Sequence, residues 1–235
     1  MVVQTERIGQ LAEEVLTFPD LSGRTDRWLW ERASRIARYT EAICKLPEIL
    51  DKGESIDLFC LLSAAYFSDA GLKLYIKARK ISSTLAALEL RGRELRNFST
   101  QILKEKENDP ILKGKIEPIC RIILESENRM TRQIEAQILS DARGLDDIGI
   151  FGLLQDFRRC LAQGKGAGAL LEGWNRKIEY RYWEARLKEG FHFRTVRQIV
   201  QSRFEATEKC IRQMRTEYSA GDLQNIPLES RKSIS

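Results

Sequence analysis

Two carboxylates stand out among the residues able to do chemistry. Asp69 closes the apolar stretch "AAYFSDAGL" from Ala64 to Leu72, directly after Ser68, and Asp141 lies within "EAQILSDARGLDD" from Glu135. A carboxylate at the end of an apolar run needs a partner, because burying it alone costs several kcal/mol. Paired carboxylates can hold a hard ion such as Mg²⁺ or Mn²⁺, with water completing the shell. Imidazole chemistry is scarce. His192 is the one histidine in 235 residues, and its setting "EGFHFRT" reads as a turn before the last long helix. The five cysteines, Cys44, Cys60, Cys120, Cys160 and Cys210, are odd in number and scattered, with no C-x-x-C pair. They read as reduced core residues, since free Cys packs like a small hydrophobe.

Positive charge concentrates towards the C-terminus. Between Gly173 and Arg215 eleven cations face five carboxylates, a net +6 in a chain whose total is +5. Such a surface attracts nucleic acid, anionic lipid or a phosphorylated ligand. The interleaved acids at helical spacing also fit an ordinary solvated helix face. Trp174, Tyr180, Tyr182 and Trp183 lie among these cations, an arrangement suited either to stacking on single strands or to packing against a neighbouring helix. "QGKGAG" from Gln163 to Gly168 is glycine-rich, but it lacks the G-x-x-x-x-G-K-[ST] spacing and follows no predicted strand, so it is no phosphate loop.

The elements that must position these residues are helical. Ile8, Leu11, Ala12, Val15 and Leu16 recur at three-and-four spacing, as do Leu29, Ala33, Ile36, Ala37, Thr40 and Ile43. "SIDLFCLLSAAYF" is apolar nearly all round, which predicts a central helix with Ser55 as its N-cap. Further helices are predicted from Ser82 through Leu103, from Lys115, from Ile134 and from Asp147. Two more follow: one continuous helix over "LLEGWNRKIEYRYWEARLKE" from Leu170, and one over Arg194 to Tyr218. Loops fall at Pro19 to Arg24, Lys52 to Glu54, Asn108 to Pro110 and Gln163 to Gly168. No run of alternating β-branched residues appears, so the expected fold is all-α.

Apolar residues at 43% and charged residues at 31% exclude a disordered or membrane-spanning chain. The N-terminus lacks the basic start and apolar centre of a signal peptide, so the expected location is cytoplasmic. The expected organisation is an N-terminal helix and loop over 1–24, one helical domain over 25–218, and a flexible polar tail over 219–235.

The order of motifs resembles the HD-domain metal-dependent phosphohydrolases, in their compact bacterial branch. It runs through Arg35-Ile36, Ser68-Asp69, "RKISSTLAALEL" from Arg79, Ile122 to Ser126, and "EAQILSDARGLDDIGIFGLL" from Glu135. The last segment is the most specific, with Glu135, Ala136, Ile138, Asp141, Ala142, Leu145, Asp146 and Gly149 on the family's pattern. "RTVRQIVQSRFEATEKCIRQM" is similar to the closing helix, with Arg203 as its internal Arg. The resemblance spans about 28–218 and implies a single-domain HD-domain-like helical bundle around a central metal site. In the family, histidines and aspartates bind one or two divalent metals, which activate water and neutralise phosphoryl charge.

Here the histidine positions of that pattern hold Arg32, Ser68 and Ser126, so Asp69 and Asp141 alone remain as ligands. Guanidinium has no lone pair to donate, and a neutral hydroxyl is a poor ligand for a transition metal. Arg32 is expected to bridge Asp69 and Asp141 as an ion pair in place of the metal. Arg143 stands where the pattern has a second Asp. Three readings follow. The first is a catalytically degenerate ligand-sensing or regulatory module that needs no cofactor. It binds a phosphorylated small molecule or nucleotide through Arg32, Ser68, Arg79, Lys80, Ser126 and Arg143. The second is an active phosphohydrolase with Mg²⁺ or Mn²⁺ on Asp69 and Asp141. The third is a nucleic-acid or partner-protein binder acting through the basic C-terminal helices.

Overall fold

Helices form where the apolar period is strongest. A computed structural model describes residues 2–19, 23–51, 53, 55–79 and 90–225. The first elements are α1 Val2–Leu16, α2 Trp28–Cys44, α3 Pro47–Leu50, α4 Leu58–Phe67, α5 Gly71–Arg79 and α6 Gly92–Lys104. They are followed by α7 Ile116–Glu125, α8 Ile134–Asp146, α9 Ile150–Ala162, α10 Ala167–Glu179, α11 Tyr182–Glu189 and α12 Arg194–Tyr218. The architecture is an all-α, single-domain helical bundle. One two-residue antiparallel pair, β1 Phe18–Pro19 with β2 Thr25–Asp26, joins α1 to α2. Among the described residues no helix is long and apolar enough to cross a membrane.

α4 is the axis of the bundle. Eight of its residues are buried, and α1, α2, α7 and α8 pack around it. Its N-cap is Asp57, whose carboxylate accepts from the Cys60 N–H at 3.0 Å, so the cap lies two residues beyond the expected Ser55. A carboxylate is as good a cap as a hydroxyl, and its negative charge also suits the helix N-terminus. α2 lies between α4 and α8, and its buried stripe of Leu29, Ala33, Ile36, Ala37, Thr40 and Ile43 also carries Arg32.

Two expected helices are interrupted. The helix predicted over Ser82 to Leu103 does not run unbroken into α6, because Arg91 is extended and Gly92 takes the left-handed φ of +60° that favours glycine. Residues 82–89 of that prediction lie outside the described residues. The helix predicted from Leu170 breaks into α10 and α11 at Arg181, whose φ is +52°. Trp174 and Trp183 are nine residues apart, which on a straight helix places them half a turn out of phase. The break lets both rings pack together at 5.0 Å and against Phe204 of α12 at 5.9 and 5.4 Å. Aromatic burial of this size outweighs the cost of one left-handed residue.

Cys60 and Cys120 are buried and the other three cysteines half-buried, all as free thiols. The core is continuous from α1 to α12. α5 and α6 pair closely, with the Gly71 N–H donating to Ser99 Oγ at 2.9 Å. α9 to α12 form a second layer over α8, fastened where Arg203 Nη1 donates to the Leu145 carbonyl at 2.6 Å.

Candidate functional site

The polar centre forms where charged residues occupy buried positions of otherwise apolar helices. Arg32 on α2 reaches across the bundle. Its Nε donates to Asp69 Oδ2 at 2.6 Å, its Nη1 to Asp146 Oδ2 at 2.7 Å and Gln155 Oε1 at 2.6 Å, and its Nη2 to Asp147 Oδ1 at 3.0 Å. Arg35, one turn on, donates to the other oxygen of Asp146 at 2.7 Å. The second oxygen of Asp69 accepts from Arg96 Nη1 at 2.5 Å, and Arg96 also donates to the Ser68 carbonyl. Arg96 Nε then meets Glu127 Oε1 at 2.8 Å, the same oxygen that accepts from Arg143 Nη1 at 2.7 Å.

Arginines and carboxylates thus alternate from Arg35 to Arg143. The network satisfies charges that would be prohibitive alone. Burial pushes the Asp69 carboxyl up, but Arg96 and Arg32 outweigh it and hold the group far below the usual carboxylate range. Glu127 is held down in the same way by Arg143 and Arg96, and Asp147 by Arg32 and Arg186. Arg143 moves in the opposite direction to a well-paired arginine. Burial and the neighbouring Arg96 depress it, more than Asp69 and Glu127 restore, and its Nε has no partner among the described residues.

This network floors a cavity of about 710 Å³. Arg32, Asp69, Arg96, Glu127, Ser126, Arg143 and Asp147 lie in its wall, and Arg91, Arg129, Arg159, Lys177 and Arg186 add further cations to the lining. Arg91 is depressed by burial and by Arg159, a second pair of like charges at the same cavity.

The residues expected at the site separate. Arg32, Asp69, Ser126 and Arg143 meet in the cavity wall. Ser68 is buried with its hydroxyl donating to the Ala65 carbonyl at 3.2 Å, so its backbone, not its side chain, serves the network. Arg79 ends α5 as an exposed residue, 5.6 Å over the Tyr75 ring, and is not among the cavity residues. Lys80 lies outside the described residues. Arg32 does not meet Asp141; it pairs with Asp146 and Asp147 instead, because these stand at the C-terminal end of α8, where α2 crosses it. Asp141 accepts instead from the backbone N–H groups of His192 and Phe193 and from His192 Nδ1.

A divalent ion does not fit these donors. Both oxygens of Asp69 accept from guanidiniums and both of Asp141 from the turn at 192–193. No group of three metal-ligating side chains occurs among the described residues. Of the four aromatic residues of the basic C-terminal segment, Trp174 and Trp183 are spent on packing, each 7% exposed, while Tyr180 at 80% and Tyr182 at 43% are open to solvent.

Sequence reasoning missed Arg96, Glu127, Asp147 and Gln155. Arg96 had a signal: it shares the buried stripe of α6 with Leu95, Ser99, Ile102 and Leu103, where a charge must be paired. Asp146 was noticed as a pattern residue, without the pairing to Arg32 and Arg35.

No family model matches the sequence, and no curated protein matches it either. Solved structures do. Bacillus subtilis YpgQ is 21% identical, with 92% of this chain and 96% of that chain covered at a TM-score of 0.58. A structure of the same protein in complex with ADP covers 92% and 95% at 21% identity and a TM-score of 0.54. The Lin1889 protein of Listeria innocua is 21% identical, covers 92% and 97%, and has a TM-score of 0.51. The fold is therefore similar to that of YpgQ-like proteins over nearly the whole chain.

Proposed function

We propose that the chain is an HD-domain-like protein that binds a phosphorylated small molecule of the nucleotide class without a metal, as a ligand-sensing or regulatory module. The observation that carries this reading is the meeting of Arg96 and Arg143 on one oxygen of Glu127 in the cavity wall. Two guanidiniums on one carboxylate oxygen leave positive charge desolvated and incompletely bonded. A phosphate oxygen is the group that completes such a site, through charge-assisted and bidentate hydrogen bonds. A cavity of about 710 Å³ suits a ligand of mononucleotide size.

In this reading Arg32 supplies the counter-charge that a divalent ion supplies in the resembled family. The motif order and the fold similarity to YpgQ and Lin1889 support an HD-domain-like assignment. The ADP complex of YpgQ makes a nucleoside diphosphate the first ligand to test.

The test is a thermal-shift titration with ADP and with inorganic pyrophosphate, in EDTA. Ligand at a hundredfold excess over Kd stabilises the protein by about 2.7 kcal/mol. Arg143→Gln raises Kd for both ligands by about tenfold or more, the loss expected of a charged hydrogen bond. Absence of any shift with either ligand at millimolar concentration overturns anion binding. Stoichiometric Mg²⁺ or Mn²⁺ in the purified protein overturns the metal-free part.

A further inference from the structure

Asp141 does not line the cavity, but it holds a residue that does. Its Oδ1 accepts from the His192 backbone N–H and from His192 Nδ1, each at 2.9 Å, and its Oδ2 accepts from the Phe193 N–H at 3.1 Å. With the carboxylate oxygen as acceptor, Nδ1 carries the ring hydrogen, and Nε2 is the nitrogen left as the lone-pair acceptor of that tautomer.

The turn is clamped on both sides of this ring. Phe193 is buried, and the buried Phe191 ring lies so close to Gly144 that a Cβ there would fall 2.5 Å away. His192 itself lines the cavity with 18% of its side chain exposed. Of the five carboxylates in the same wall, Asp69, Glu127, Asp147 and Asp156 are each committed to two cations. His192 is thus an acceptor oriented by a buried carboxylate in a cavity otherwise dominated by guanidinium donors.

We infer that His192 is a specificity-determining residue of the cavity: its Nε2 accepts a hydrogen bond from a hydroxyl or amino group on the non-phosphate part of the ligand, while the arginines take the phosphates. The inference rests on the anion-binding reading of the same cavity. It predicts discrimination between a phosphorylated compound that carries such a donor and a bare polyphosphate.

The two probes are ADP, which has ribose hydroxyls and an amino group, and inorganic pyrophosphate, which has no alcohol or amino group. Wild-type protein binds ADP about tenfold more tightly than pyrophosphate at pH 8 in EDTA, the difference expected of one well-placed hydrogen bond. His192→Phe removes that preference and leaves pyrophosphate binding within about twofold. The unchanged pyrophosphate response reports that the cavity is still folded. His192→Gln, whose amide oxygen can accept, restores part of the ADP preference. Retention of the preference in His192→Phe overturns the inference, as does an equal loss of both ligands or a loss that Gln does not restore. Equal wild-type affinities overturn it while leaving anion binding intact, and binding of neither ligand overturns both.

Discussion

Asp69 and Asp141 are the same residue type and both are buried. Their surroundings differ completely. Asp69 is neutralised by formal charge, lying between the guanidiniums of Arg32 and Arg96. Asp141 is neutralised by dipoles, with two backbone N–H groups and one imidazole pointing at it. The first arrangement builds a charged cavity wall, and the second fixes a turn.

The largest effect that separates the two is on stability. Asp69→Ala removes the carboxylate that Arg32 and Arg96 share, leaving Arg32 on Asp146 and Asp147 and Arg96 on Glu127, and is expected to cost about 3–5 kcal/mol in urea unfolding. Asp141→Asn keeps an acceptor and strands no full charge, so about 1–3 kcal/mol is expected. Equal losses from the two variants would break the comparison.

Acid sharpens it next. Asp69, Glu127 and Asp147 are all held below their ordinary values in the folded protein. The unfolded chain therefore takes up protons first as pH falls. Their stabilisation is complete at neutral pH and is lost progressively below about pH 5. Asp69→Ala is expected to flatten that acid limb measurably, and a limb as steep as in the wild type would count against the ion-pair account.

The smallest effect concerns Ser68. Its hydroxyl bonds only within its own helix, while its carbonyl carries the contact to Arg96 and Ser99. Ser68→Ala is expected to change stability by about 0.5 kcal/mol or less and to leave ADP binding unchanged. A loss of several kcal/mol would mean that the side chain, not the backbone, supports Asp69.

Much of the scaffold was legible from periodicity. The boundaries Arg194 and Tyr218 of α12, the apolar character of α4 and the buried stripe of α2 follow from residues within a few turns of one another. Periodicity could not reveal the break at Arg181, because it is driven by Trp174, Trp183 and Phe204 meeting from three helices. It also placed the cap at Ser55, where Asp57 competes with better charge and position.

The sequence alone determined that Asp69 would end a core helix, a local consequence of the apolar run that precedes it. Which partner each charge would find was decided only in three dimensions. Arg32 meets Asp146 across 114 positions of sequence, and Asp141 meets His192 across 51. Such pairings depend on where α2, α6 and α8 cross and how far each side chain reaches. A difference of five residues on α8 separates a carboxylate in the charged network from one that holds the turn beside it.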